Sequence, residues 1–491
     1  MLAFNPIVRR RSRPDSQLEI AMSPYFDAYS VNPVRSGGGT VKIQKWSMVM
    51  GFHPAWSEIS TWIERSERLF IKKLSRNDTS WADSSKNGHQ NGFFIPRPVA
   101  ESDFFPELKN TNSAKPHILD AEYPAFWPAS GEIRTATIKY FSMRNPDNKE
   151  KAKPRYEWQH TGIPKDQFRS LSPASLLIVG KLRQPLSGSR YWYIVVDSVS
   201  DEAEIIETRF ELDATFHYGI FDPALSAVPV SDSDQLIAEL TKAIKDGTLE
   251  QFIKEQTLPS PSVLAARAQT AWLDKNGFAD LSPFSIQHPG DAVMSISRDI
   301  EYSIYKQAEV RFRAAQVARL LLHGGGDPVV NLVRSFSELD SVFLSAAQTR
   351  KSRAGLSFEL HVERLFKDGR IRYGAQAVFG GRRPDFVLPD VGALNEKGDA
   401  VIVSLKTTLR ERWKQLALEK PFGTIFLATV DDRVSPEAID EMANNAISLV
   451  VPESLKKAKE SAYADYDNVL TFRQFFDDEL RQKRPAFILP L

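Results

Sequence analysis

The stretch that decides the fold runs Arg382-Arg383-Pro384-Asp385-Phe386-Val387-Leu388-Pro389, then Ala400-Val401-Ile402-Val403-Ser404-Leu405-Lys406-Thr407-Thr408, then Arg410-Glu411-Arg412-Trp413 through to Glu419. Gly380-Gly381 is a turn signal, and the apolar run behind it offers the Asp385 carboxylate at a strand start. Ala400 to Leu405 reads as a buried strand that Lys406 closes. If the two strands are neighbours, Asp385 and Lys406 reach the same end of one sheet. Arg410 to Glu419 contains neither Gly nor Pro and has helix-forming composition, with Glu419 about two turns beyond Arg412.

An acid and a lysine at one sheet end can hydrolyse a phosphodiester. The carboxylate binds a hard, oxygen-seeking cation, usually Mg2+, while the lysine orients or activates water and offsets charge on the phosphorane. In the common nuclease pattern, Pro-Asp followed by acid-x-Lys, position 404 carries a second acid. Here it is Ser404, so another carboxylate has to substitute. Glu419 can point back from its helix. Within 353 to 368, Phe358, Val362, Leu365 and Phe366 form an apolar stripe flanked by Glu359 and Glu363, one or both of which are further donors.

Taken in order, these motifs resemble the catalytic domain of the EcoRII-type restriction endonucleases. The matching elements are Arg350-Lys351-Ser352-Arg353-Ala354-Gly355, Glu359-Leu360-His361, Pro384-Asp385-Phe386, Lys406-Thr407-Thr408 and Arg412-Trp413. The resemblance implies metal ligands at Asp385 and Glu419, a catalytic lysine at Lys406 and a supporting acid at Glu359. It makes Arg410-Glu411-Arg412 the base reader. The chemistry agrees, since arginine donates in a fork to guanine and a carboxylate accepts from cytosine, as a CC/GG half-site requires. It also implies a base-flipping pocket at Arg298 and Tyr302. Arg350, Lys351 and Arg353 would contact the DNA backbone.

The N-terminal half resembles the effector-binding domain of the same enzymes through Lys72-Lys73-Leu74-Ser75, Asn77-Asp78-Thr79, Gly88-His89-Gln90, Gly92 and Ile95-Pro96. This implies a β-barrel-like pseudobarrel whose cleft, with Lys72, Asn77 and His89, binds a second copy of the recognition sequence. Phe94 stands where the family has a tyrosine. A basic stretch follows at Arg144, Lys149, Lys151, Lys153 and Arg155.

Composition sets the outer limits. At 491 residues and 42% hydrophobic content, two or three domains with ordinary cores are expected. A net charge of +1 means that any DNA-binding cations must be concentrated locally, as at 350 to 353 and 406 to 414. The absence of cysteine removes thiolate zinc sites, disulfides and thiol nucleophiles. No apolar run approaches the roughly 18 residues of a membrane span, so a cytoplasmic prokaryotic protein is expected. Strands are expected at 135 to 141, 175 to 181 and 191 to 198, and helices at 234 to 255, 262 to 276 and 297 to 322. Strands and helices alternate from 375 to 452.

The reading divides the chain into a disordered arm at 1 to 45 and a pseudobarrel effector domain at 46 to 222. A Pro/Ser linker at 223 to 234 leads to a catalytic domain at 235 to 491. Met48 and Met50 offer later start codons. The fold class is multidomain α+β, its C-terminal part α/β and restriction-endonuclease-like. His323-Gly324-Gly325-Gly326 looks like an esterase oxyanion loop, but without a Gly-x-Ser-x-Gly turn it reads as a helix stop. Trp413 reads as a core anchor.

The function expected is a site-specific, effector-requiring double-stranded DNA endonuclease that acts as a homodimer and leaves 5′-phosphates. A methyltransferase of the same specificity would be its partner, and the N-terminal domain would restrain the nuclease. Two alternatives remain open: a repair or junction-resolving nuclease with the same metal site, and a DNA-binding regulator with an inactive nuclease domain.

Overall fold

A computed structural model describes residues 55–83, 92–116, 118–141, 157–210, 212, 216–223, 230–322, 327–375, 384–394, 400–409, 413–414 and 423–490. The β-branched and aromatic runs of the N-terminal half form eight strands: β1 (Ser66–Lys73), β2 (Gly92–Ile95), β3 (Ile118–Trp127), β4 (Glu132–Phe141), β5 (Glu157–Thr161), β6 (Leu176–Leu186), β7 (Ser189–Val196) and β8 (Tyr218–Phe221). They pair in the order β2-β5-β4-β3-β7-β6-β1-β8, antiparallel except where β3 meets β7. The sheet curls, and both of its faces are apolar.

Alternation along the strands explains why. Phe70, Tyr191, Tyr193 and Val195 enter one core, while Leu69, Ile71, Trp192, Ile194 and Val196 enter the other. The second core is completed by Ile59, Trp62 and Ile63 from the helix Trp56–Glu64 and by Ala203 and Ile206 from the helix Asp201–Phe210. Gly180 is required here, because a Cβ at that position would lie 2.0 Å from the Trp192 indole nitrogen. Inside the first core a fully buried His160 bonds through Nε2 to the hydroxyls of Tyr123 (2.8 Å) and Tyr193 (2.7 Å).

The C-terminal sheet contains β9 (Gly374–Ala375), β10 (Phe386–Leu388), β11 (Val401–Lys406), β12 (Thr424–Thr429), β13 (Ile447–Val451) and β14 (Val469–Thr471), in the order β14-β13-β12-β11-β10-β9. β11 to β14 are parallel and β9 to β11 antiparallel. Parallel strands are covered on both faces, which is why β11, β12 and β13 read as continuous apolar runs.

Four helices matter for the site: α1 (Val230–Lys245), α2 (Pro261–Asn276), α3 (Tyr302–Leu322) and the 33-residue α4 (Phe336–Asp368). A π-helical segment, Ser295–Glu301, leads directly into α3. The expected helix at 234 to 255 is two helices: α1 ends before Gly247, which has φ +68°, and Leu249–Glu255 follows. α1 also begins inside the stretch expected to be a linker. The helix-forming run from Gln235 to Lys245 carries its first turn back over the serines. Residues 224–229 and 323–326 lie outside the described residues. Among the described residues no helix is long and apolar enough to cross a membrane.

Candidate active site

β10 and β11 are antiparallel neighbours with Phe386 opposite Val403, and this register sets Asp385 across from Ser404 at the strand ends. Phe386, Val401, Val403 and Leu405 face the core beneath α4, whereas Val387 and Ile402 face a smaller apolar cluster on the other side. Alternation therefore aims Asp385, Ser404 and Lys406 to one common side.

Asp385 Oδ2 accepts from the Leu405 amide (2.7 Å), Ser404 Oγ (3.1 Å) and Lys406 Nζ (3.3 Å). Lys406 Nζ also donates to the Leu405 carbonyl at 2.8 Å. The three donors converge on one carboxylate oxygen, and Oδ1 takes part in none of these bonds. Ser404 thus occupies the usual second-acid position as a donor to the first acid.

The acids expected to help stand differently. Glu359 is half-buried on α4. Glu363 accepts from the Tyr373 hydroxyl (2.8 Å) and pairs with Lys367 (3.0 Å). Glu419, Arg410, Glu411 and Arg412 lie outside the described residues, but the residues flanking 410–412 do not. Leu409 and Trp413 are both buried in the main core, and the Leu409 amide donates to Asp431 Oδ2 at 2.7 Å.

Arg298 lies in the π segment and Tyr302 begins α3, both half-buried. The Arg298 charge reaches Asp432, which is also paired with Lys73 of β1. Along the basic run on α4, Arg353 is buried, Arg350 half-buried and Lys351 exposed. Arg353 is buried against Glu301 with its guanidinium 4.4 Å from the centre of the Tyr305 ring; Arg350 bonds Glu309 at 3.1 Å, and Lys351 pairs with Glu204 at 3.2 Å. Each partner is an acid distant in sequence, which composition alone does not disclose.

In the curled sheet Lys72 is buried as well. Its ammonium donates to Asp78 Oδ2 (2.7 Å) and the Phe94 carbonyl (2.8 Å), tying β1 to the helix Arg76–Asp83 and to β2. Asn77 is exposed on that helix, and His89 lies outside the described residues.

Another acidic group, His288, Asp291 and Glu453, has a plainer role. Glu453 accepts from the Asp291 amide (3.0 Å), and Asp291 accepts from the amide and hydroxyl of Ser454 (2.9 and 2.6 Å). Each acid caps the helix that the other begins, and that accounts for the cluster.

Comparison with known proteins places this architecture. Residues 327–476 match the family described as EcoRII C terminal. The type II restriction enzyme EcoRII of Escherichia coli is 28% identical over 402 residues, covering 79% of this chain and 88% of the relative. The type II restriction enzyme SsoII of Shigella sonnei is 31% identical over 154 residues, covering 29% of this chain and 50% of the relative. Among solved structures, metal-depleted Ecl18kI in complex with uncleaved DNA is 22% identical with a TM-score of 0.41, covering 50% of this chain and 87% of that one. The chain is an enzyme similar to type II restriction enzymes. Its C-terminal domain and the match along most of its length make it EcoRII-like.

Proposed function

We propose that the chain is a Mg2+-dependent, effector-requiring endonuclease that cuts double-stranded DNA at a short CC/GG-containing site and leaves 5′-phosphates. The observation that carries this reading is the Asp385–Lys406 pair at the sheet end, 3.3 Å apart.

The donor set suits a hard dication, since Asp385 Oδ1 lies outside the three hydrogen bonds that fix the carboxylate. Asp385 and Glu419 would hold the ion, with Glu359 as the supporting acid. When bound, it polarises the phosphate oxygens and raises the acidity of water. Lys406, steadied by the Leu405 carbonyl, orients the attacking water and offsets charge developing on the phosphate. Ser404 and the Leu405 amide keep Asp385 from rotating. Arg410-Glu411-Arg412, rooted between two buried anchors, supplies the forked donors and the acceptor that C·G pairs present. Arg298 and Tyr302 would hold an extruded base.

A near-palindromic site calls for two equal arms, so the active species is a homodimer. The apolar row Val329, Val333, Phe336, Phe343 and Leu344, exposed along the helix Pro328–Arg334 and the start of α4, supports a second copy as its occupant. The curled sheet binds the effector copy of the site and restrains cleavage until then. A methyltransferase of the same specificity protects the host DNA in the prokaryotic cytoplasm where the enzyme acts.

Digestion of plasmids carrying one or several sites, with and without Mg2+, tests this reading. Discrete fragments that require Mg2+ are expected. Cutting confined to branched substrates indicates a repair enzyme, and binding without any cutting indicates a regulator.

A further inference from the structure

A second buried charged cluster stands apart from the hydrogen bonds that fix Asp385. Glu301, at the end of the π segment, is fully buried. Its carboxylate accepts from Arg353, from Ser357 Oγ (2.5 Å) and from His361 Nε2 (2.9 Å). The Gln269 amide nitrogen of α2 lies 3.1 Å from His361 Nδ1, so the imidazole proton sits on Nε2 and points at Glu301. The contact pattern continues outward: the Tyr305 hydroxyl donates to Glu309 (3.0 Å), which also receives Arg350. Residues 353, 357 and 361 recur every four positions on one face of α4, opposite 301, 305 and 309 on the π segment and α3.

An apolar seam between these helices would be cheaper, because buried ion pairs rarely exceed well-packed side chains in net stability. A seam of directional bonds does what an apolar one cannot: it fixes α4 along its axis. From there the register passes to the site by contact. Phe366 packs on Phe386 with ring centres 5.2 Å apart, and Tyr373, whose hydroxyl is held by Glu363 of α4, packs on the same ring at 5.5 Å. Phe386 is the neighbour of Asp385.

We infer that Glu301 is a positioning residue for cleavage, setting the place of Asp385 through Ser357, His361 and α4. This rests on the nuclease reading above. It predicts a loss in kcat rather than in DNA binding, because the seam acts on the reacting end of the sheet.

The test uses the full-length enzyme, saturating Mg2+ and a cognate duplex, with rates expressed per folded molecule. E301Q, S357A and H361A should each lower kcat about tenfold while KM changes less than about threefold. H361Q, which keeps a donor towards Glu301, should stay within about threefold of the parent kcat. Wild-type kcat in E301Q, S357A and H361A alike, with only the melting temperature reduced, overturns the proposal, as does a loss confined to KM. S357A is the mildest change and keeps the test alive if E301Q folds poorly. Failure of the parent enzyme to cut would instead remove the nuclease reading itself.

Discussion

Lys73 Nζ lies 2.9 Å from Asp432 Oδ2, and both side chains are almost completely buried. This bond joins the end of β1 in the curled sheet to the turn after β12 in the catalytic sheet. Beside it Arg433 bonds Glu207 and the Ser198 carbonyl, and the Ala174 amide donates to the Glu460 carbonyl at 3.1 Å. Lys73→Met would take from buried Asp432 its hydrogen-bonded cation, leaving Arg433 at 3.8 Å and the more distant Arg298. Breaking such a pair costs about 3–5 kcal/mol, whereas replacing both partners with apolar groups is often neutral. Single-site plasmids should therefore be cut several-fold faster by Lys73→Met, and the Lys73→Met/Asp432→Leu double variant should return towards the parent rate. Equal rates in all three proteins would mean that this contact does not restrain the enzyme.

The same contact responds to acid. Burial disfavours ionised Asp432, but Lys73, Arg298 and Arg433 together outweigh it and hold the carboxyl below its usual 3.8. A depressed acid stabilises the fold above its unfolded value and loses that contribution as pH falls through the folded one. Hydrogen exchange around Ser198 and Asp432 should rise below about pH 4 in the parent protein, and change less in the double variant.

Asp385→Ala, Lys406→Ala and Glu419→Ala should each reduce cleavage to background while leaving specific duplex binding largely intact, because these groups serve the ion and the water rather than base edges. Gel-shift titration beside plasmid cleavage separates the two effects. Normal cutting by Glu419→Ala would show that the missing acid at position 404 is replaced from elsewhere.

Arg412→Ala should lose roughly 1–3 kcal/mol of discrimination for each bidentate contact to guanine. Competition binding with single-pair variants of the site measures it. A uniform loss of affinity with unchanged preference would move Arg412 from base reading to the backbone.

His160 gives the curled sheet its own pH dependence. Burial pushes its pKa down to about 3, so the folded protein keeps the ring neutral where the unfolded chain protonates it. Between the usual 6.5 and about 3 the unfolded state binds the extra proton, so stability falls with acid, by at most about 1.4 kcal/mol per pH unit. Hydrogen exchange of β3 to β7 amides across this range should show a shallower slope in His160→Gln. An identical slope would assign the acid response to other groups.

The Asp385–Lys406 pair was legible because its signals are local: a glycine turn, one apolar run opened by an acid and a second closed by a lysine make neighbouring strands the economical reading, and the two side chains do meet. The strands β4, β6 and β7 and the helix α2 were legible for the same reason, through periodicity and capping residues. What stayed hidden depends on partners far away in the chain. The Arg353 ion pair was hidden because Glu301 lies 52 positions earlier. The partners of Lys72 were hidden because Asp78 and the Phe94 carbonyl reach it only once the helix Arg76–Asp83 and β2 have folded against β1. Lys73 was read only as part of its motif: it differs from Lys72 by one step of alternation, which sends it to the other side of the strand and across to Asp432.

Asp431, Asp432 and Arg433 are consecutive, yet the first holds the Leu409 amide, just before the proposed base reader, and the next two grip the curled sheet. The halves of this enzyme are therefore poor candidates for free exchange between relatives. A transplanted N-terminal half would have to bring Lys73, Ser198 and Glu207 to meet the recipient's 432 and 433. A mismatch there would be felt one peptide bond away from the anchor of the proposed base reader, so a chimera that folds well is expected to misread its site.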